Sequence, residues 1–520
     1  MLFNSFPFIF GFLPIVVAGF VVLRGRSSGL WWIGWLVAAS LFFYGWWNPV
    51  YLPLLGGSVL FNYTVGRLMR SWELADRSPG ARLLLLAAGV TADLGLLGYF
   101  KYANFFIDTS TNLGAAGFQL DEIILPLGIS FFTLQQVAYL VDVYRGRAFE
   151  SNVLRYALFV SFFPQLIAGP IVHHREIVPQ FTRVPWRRLR FDLAVGLAIF
   201  TVGLVKKVVI ADHIAVFASP VFEGAAAGAA PSFFEAWGGT FAYTFQIFFD
   251  FSGYSDMAVG LARMFGIRLP LNFAQPYKAA SLIDFWRQWH MTLSRFLRDY
   301  VYIPLGGNRY SEARRYSAIL LTMLIGGIWH GAGWTFVVWG ALHGLLLVLN
   351  HLWRTHRRAP RGAPSSALQT GASRALTLIA VATLWVFFRA PTMSGALAML
   401  EGMAGLNGVV LPLRLESLSL PVVPWITYQS GLGNFTASGG LTNGIAFLGV
   451  LLLIVWFVPP THEWMTRARP VLDPTGGRAV GRAWWQWRPS AAWAVFTAAL
   501  GAVAVLLMVS RSSEFLYYQF

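Results

Sequence analysis

Apolar runs long enough to cross a bilayer alternate with short basic segments along most of this 520-residue chain. A predominantly apolar stretch of roughly 17–25 residues spans a membrane as a helix. The runs at 6–23, 31–47, 52–66, 83–100, 123–144, 191–210, 233–251, 375–389, 442–458 and 491–509 meet or approach that length. The shorter run 156–172 contains Pro164, Gly169 and Pro170 and predicts a re-entrant segment. Arg24 and Arg26 follow the first run, and Arg67, Arg70, Arg77 and Arg82 follow the third. Basic residues concentrate in cytoplasmic loops, so this alternation places both termini on the outer side of the membrane. Of the 39 basic residues only Lys101, Arg414 and Arg511 fall in predicted outer segments. Lys206 and Lys207 lie toward the outer end of 191–210, where their stems are expected to snorkel.

The pattern changes in 281–345. At roughly 100° per residue, Leu282, Phe285, Trp286, Trp289, Leu293, Phe296, Leu297 and Tyr300 share one side of a helix, with Asp284, Arg287, Gln288, Ser294, Arg295 and Arg298 opposite. This predicts one amphipathic helix at a membrane surface, with His290 near the edge of its apolar sector. A lone histidine there reads first as a packed ring with one nitrogen bonded to backbone. His330 differs, because it lies in an apolar run flanked by Gly326, Gly327, Gly331 and Gly333. An ionisable side chain at membrane depth is a functional candidate by default, and the glycines let another backbone or a substrate approach.

Three regions follow: a membrane core at 1–350, a basic cytoplasmic loop at 351–374, and C-terminal helices at 375–520. The last contains a mostly polar external loop at 393–441 and an aromatic tail at 515–520. Asp250, Ser252, Tyr254 and Asp256 bring several polar groups into an apolar context. They read either as a capped helix start after a turn or as the polar lining of a cavity. Met1 to Ser5 carry no basic side chain, so the first run is expected to stay in the protein rather than be cleaved as a signal peptide.

Composition narrows the chemistry. The chain is 56% hydrophobic and only 12% charged, with a mean hydropathy of +0.58, which fits an all-α polytopic membrane protein. Its +16 charge is explained by the basic loops, and no nucleic-acid motif accompanies it. The absence of cysteine excludes disulfides, thiolate metal sites and an acyl-thioester intermediate on this chain. The pair His173 and His174 is a weak metal signal, and no metal site is expected.

Trp329-His330-Gly331, preceded by Asp284-Phe285-Trp286-Arg287-Gln288-Trp289-His290 and Tyr302-Ile303-Pro304-Leu305-Gly306-Gly307, resembles the membrane-bound O-acyltransferase family. Within it, the chain resembles the membrane subunit of bacterial alginate O-acetyltransferases. Further matches are Pro126-Leu127-Gly128-Ile129-Ser130-Phe131-Phe132, the 163–171 segment and Asp250-Phe251-Ser252-Gly253-Tyr254-Ser255-Asp256. One departure is Pro460, where this subfamily more often has asparagine before the threonine.

The resemblance implies a helical bundle around a tunnel, with re-entrant and amphipathic interfacial helices, in the bacterial inner membrane. It implies that His330 is the essential histidine and His290 the second, less strictly required one. The implied reaction moves an acetyl group from a cytoplasmic donor, acetyl-CoA, across the membrane. Its acceptor would be a periplasmic acetyl-carrying protein or a polysaccharide, as in O-acetylation of an alginate-type exopolysaccharide. No permanently bound cofactor is expected.

The residues permit such chemistry. An imidazole can take the acceptor's hydroxyl proton, help worth roughly 10²–10⁴ in rate. Trp329 and Trp334 would shape the tunnel or pack the core. Arg295, Arg298, Arg309, Arg314 and Arg315 are placed to hold a donor's phosphates, although the positive-inside rule alone predicts arginines there. Two alternatives remain open at this level: a D-alanyl or other acyltransferase of the same family, and a polytopic transporter or flippase with intramembrane polar groups of its own.

Overall fold

The computed structural model describes residues 1–24, 30–76, 78–112, 123–182, 188–356, 366–412, 426–429, 441–472, 483–509 and 516. A π-helical turn, Pro7–Phe12, leads into α1 (Leu13–Arg24), followed by α2 (Trp31–Gly45), α3 (Leu52–Leu74), α4 (Pro79–Asn112) and α5 (Ile129–Tyr144). The predicted re-entrant segment is broken as its prolines require. It forms α6 (Val153–Ser161) and α7 (Phe163–Leu166), then runs extended into α8 (His174–Phe181). Next come α9 (Leu189–Val205), α10 (Asp212–Ala226), α11 (Phe233–Met264), α12 (Leu282–Trp286), α13 (Met291–Leu297), α14 (Glu312–His330), α15 (Trp334–His356), α16 (Ala367–Arg389) and α17 (Met393–Met403). The strands β1 (Val409–Pro412) and β2 (Ile426–Gln429) pair in parallel, and α18 (Leu441–Phe457), α19 (Thr461–Trp464) and α20 (Ala491–Val509) close the order.

Six of the described helical segments are long and apolar enough to cross a membrane: Pro7–Arg24, Pro79–Thr111, Leu189–Ala226, Trp334–His356, Ala367–Arg389 and Ala491–Val509. Helices satisfy their own backbone groups, the condition for crossing lipid. It is an all-α polytopic membrane protein, with one strand pair among the described residues.

Three expectations change. The run at 191–210 does not end at Ile210, because a π-helical turn at Lys206–Ala211 carries it into α10. Asp250–Asp256 is not a helix start but the middle of the 32-residue α11. The predicted polar loop 393–441 begins with a packed helix, since Ala396 and Met399 of α17 are fully buried. Its small and apolar residues Gly395, Ala396, Ala398 and Met399 can pack closely even though the segment as a whole is polar.

The chain folds as two compact units. The first holds 1–205, 254–272 and 461–511. In it α5 is buried along nearly its whole length, and Phe8, Phe12, Phe43 and Phe163 form a ring cluster with centroids 5.3–6.2 Å apart. Helices α9 and α11 cross where Gly196 faces Gly260, and buried Arg263 reaches across them to Asp192 at 2.7 Å. The second unit holds 206–253, 273–460 and 512–520. Its core is rich in aromatic side chains from α11, α12, α15 and α16.

Lys207 in the second unit is 2% exposed and does not snorkel. Its ammonium lies 2.6 Å from Asp212 Oδ1 and 2.7 Å from Asp250 Oδ1. The reason is the continued helix, which leaves the lysine in mid-span without a polar interface to reach. Asp250 Oδ2 also accepts the Leu516 backbone N–H at 3.3 Å, and Leu516 is buried. The rest of the predicted aromatic tail lies outside the described residues.

Candidate active site

Helix α14 starts at Ser311, whose hydroxyl accepts from the Arg314 backbone N–H, and ends at His330. Gly331 is extended, and α15 starts three residues later, so the two helices pack as an antiparallel pair. Their glycines are what allow this. A Cβ on Gly340 would lie 3.1 Å from Gly327 Cα, and one on Gly331 would run into the Phe336 ring. The close partner of the glycines at 327 and 331 is therefore α15. Gly340→Ala is expected to lower stability by roughly 1–3 kcal/mol, the usual cost of overpacking. Thermal unfolding in detergent micelles should report a lower midpoint, and an unchanged one would show that the contact relaxes freely.

His290 does not lie within a continuous amphipathic helix. The predicted helix breaks after Trp286, and His290 occupies the gap before α13 with φ 41° and ψ 53°, the left-handed region. Such a backbone costs a non-glycine residue on the order of 1–3 kcal/mol and is concentrated at functional sites. Two contacts fix the break: the Ala274 N–H donates to Gln288 O at 3.0 Å, and the Ser294 N–H donates to His290 O at 3.0 Å. The turn carries the His290 ring inward until it is fully buried against Phe251, with ring centroids 4.8 Å apart.

The break brings His290 to His330. Their ring centroids are 6.5 Å apart, with Trp329 beside both, 6.3 Å from His290 and 4.9 Å from His330. His330 is buried and is also packed edge-on against Phe388 at 5.1 Å and Trp339 at 5.3 Å. Sequence reasoning missed a third histidine in this cluster. His343 is fully buried on α15, 4.8 Å from the Trp339 ring, and its Nδ1 accepts from Trp286 Nε1 at 3.3 Å. The signal was present: His343-Gly344 repeats the His-Gly step of His330-Gly331 inside another apolar run.

The other candidates disperse. Trp334 is 56% exposed at the start of α15. Roughly 100° per residue turns it well away from the face that carries Trp339 and His343. Asp250 and Ser252 are buried in the second unit, and Asp250 is held by Lys207. Tyr254 and Asp256 belong to the first unit, where Tyr254 stacks on Phe3 at 4.8 Å and Asp256 accepts from Thr461 Oγ1 at 2.6 Å. That bond gives the turn after Pro460 a structural task. Arg295 is half-buried on α13, Arg298 pairs with Asp299 at 2.7 Å, and Arg309 is exposed after the Gly306-Gly307 turn. Arg314 lies over the Tyr310 ring at 4.1 Å, and Arg315 over Tyr316 at 4.7 Å.

In the first unit, His173 Nδ1 is 3.9 Å from Asp142 Oδ2, a carboxylate that the sequence does not place nearby. Burial lowers the His174 pKa to about 4, against the opposing pull of Asp142. Among the described residues no three His, Asp or Glu side chains gather as a metal site.

The model of the membrane-bound O-acyltransferase family matches residues 18–389, a span that contains all three clustered histidines. The chain belongs to the membrane-bound O-acyltransferase family. It is 46% identical over 439 residues to a peptidoglycan O-acetyltransferase of Helicobacter pylori, covering 79% of this chain and 81% of that one. It is 41% identical over 408 residues to a protein of Pseudomonas aeruginosa described as "Probable alginate O-acetylase AlgI", covering 78% of this chain and 75% of that one. A teichoic acid D-alanyltransferase of Streptococcus thermophilus is 30% identical over 236 residues, 44% of this chain and 57% of that protein. Membership makes this chain an O-acyltransferase and sets aside the transporter reading.

Proposed function

We propose that the protein transfers an acetyl group from cytoplasmic acetyl-CoA across the inner membrane to the hydroxyls of a cell-envelope polysaccharide, directly or through a periplasmic carrier protein. The observation that carries this is the buried pair His290 and His330, 6.5 Å apart, in a member of an O-acyltransferase family. His330 takes the proton of the attacking hydroxyl. The oxygen–acetyl carbon bond forms, the carbon–sulfur bond of the thioester breaks, and the proton passes to the departing thiolate. No serine, cysteine or metal on this chain is needed. Arg295, Arg298 and Arg309, at the proposed cytoplasmic side, hold the donor's phosphates. Both termini are periplasmic in this reading, supported by the basic residues after the first helix.

An alginate-type exopolysaccharide is the acceptor that the sequence motifs favour. The 46% identity to a peptidoglycan O-acetyltransferase supports a second reading, with cell-wall glycan as acceptor. Deleting the gene and measuring base-labile acetate on both polymers tests the proposal. Loss from the exopolysaccharide supports the first reading and loss from muropeptides the second; no loss from either overturns both.

A further inference from the structure

We propose that Trp339 and His343 are the two N–H donors that receive the carbonyl oxygen of the transferred acyl group. The inference rests on the acyl-transfer reading of the His330 cluster and assigns its electrophilic half. The two residues are four apart on α15 and therefore share one face of it. The Trp339 ring touches both histidines, 5.3 Å from His330 and 4.8 Å from His343.

The donor state of His343 follows from chemistry. An indole N–H can only donate, so Trp286 Nε1, 3.3 Å away, makes His343 Nδ1 the acceptor. The neutral ring then carries its proton on Nε2. That Nε2 and Trp339 Nε1 have no hydrogen-bond partner among the described residues, although His343 is 0% and Trp339 1% exposed. Buried donors without acceptors destabilise a fold, so natural proteins keep few of them. Two adjacent ones beside a candidate base match what acyl transfer requires. As the hydroxyl adds, the carbonyl oxygen becomes an oxyanion with lone pairs for two donors at about 2.9 Å each. Nothing is oxidised or reduced, and the donors keep their protons when the carbonyl re-forms.

The test uses inside-out membrane vesicles containing the full chain, with labelled acetyl-CoA and, in parallel, fluoroacetyl-CoA. Trp339→Phe keeps a ring and removes the donor; kcat should fall about 10²–10³-fold, the usual effect of losing one oxyanion donor, while KM for the donor scarcely moves. His343→Phe should behave alike, and His343→Gln, which restores an N–H near Nε2, should recover part of the loss. The deficit should shrink with fluoroacetyl-CoA, because fluorine already stabilises the oxyanion. Equal deficits with both donors, or wild-type turnover by Trp339→Phe, would overturn the assignment. Wild-type vesicles that transfer D-alanyl but no acetyl would overturn the proposed cargo instead, and the variants are then judged by kcat, KM and the glutamine rescue on that donor.

Discussion

His330→Ala is expected to reduce acyl transfer by about 10²–10⁴-fold, the range attributed to a positioned general base, while the protein still accumulates in the membrane. His330 is the last residue of α14, so its loss interrupts no helical turn beyond it. The side chain is held between Trp329, Trp339 and Phe388, all anchored by other contacts. Truncation therefore removes the proposed base more than it removes the fold. His330→Gln, which retains much of the volume and cannot act as the base, should be equally inactive. Polymer acetate normalised to membrane protein level is the measurement, and normal acetylation by a well-expressed alanine variant would refute the role. His290→Ala should reduce the rate less. Its ring lies beside that of His330, 6.5 Å away, and replacing it leaves the proposed base in place.

The apolar helices and the burial of His330 were legible because hydropathy and the cost of a buried ionisable group are local properties. The break at His290 was not. The helical period of apolar residues continues across 282–300, so the pattern fits one helix even though His290 adopts a left-handed backbone. What breaks the helix is partly the Gln288–Ala274 contact, a tertiary event. Trp334 is near His330 in sequence but lies on another face of α15 from Trp339 and His343. The rule that singles out His330 applies equally to His343, a histidine beside glycine in an apolar run. Gly327 and Gly340 are the reverse case: the glycines flanking His330 are plain in the sequence, but only the packed pair α14–α15 shows that backbone is one neighbour they accommodate.

Lys207→Met is expected to destabilise the second unit by roughly 3–5 kcal/mol, the cost of leaving a buried charge unpaired. The ammonium is the shared partner of two carboxylates, Asp212 and Asp250, at 2.6 and 2.7 Å. Removing it places two acids near each other in a segment with apolar surroundings, where each ion carries a desolvation penalty of several kcal/mol. Asp250 would keep only the Leu516 N–H among the bonds described above, so the hold on Leu516 should weaken as well. A triple replacement of Lys207, Asp212 and Asp250 by apolar residues of similar size should recover much of the loss, because it removes the unpaired charges with the pair. Thermal midpoints in detergent micelles measure both variants, and limited proteolysis of the C-terminus reports the Leu516 contact. A Lys207→Met protein as stable as the wild type, with its C-terminus equally protected, would show that the lysine is not the keystone of this cluster.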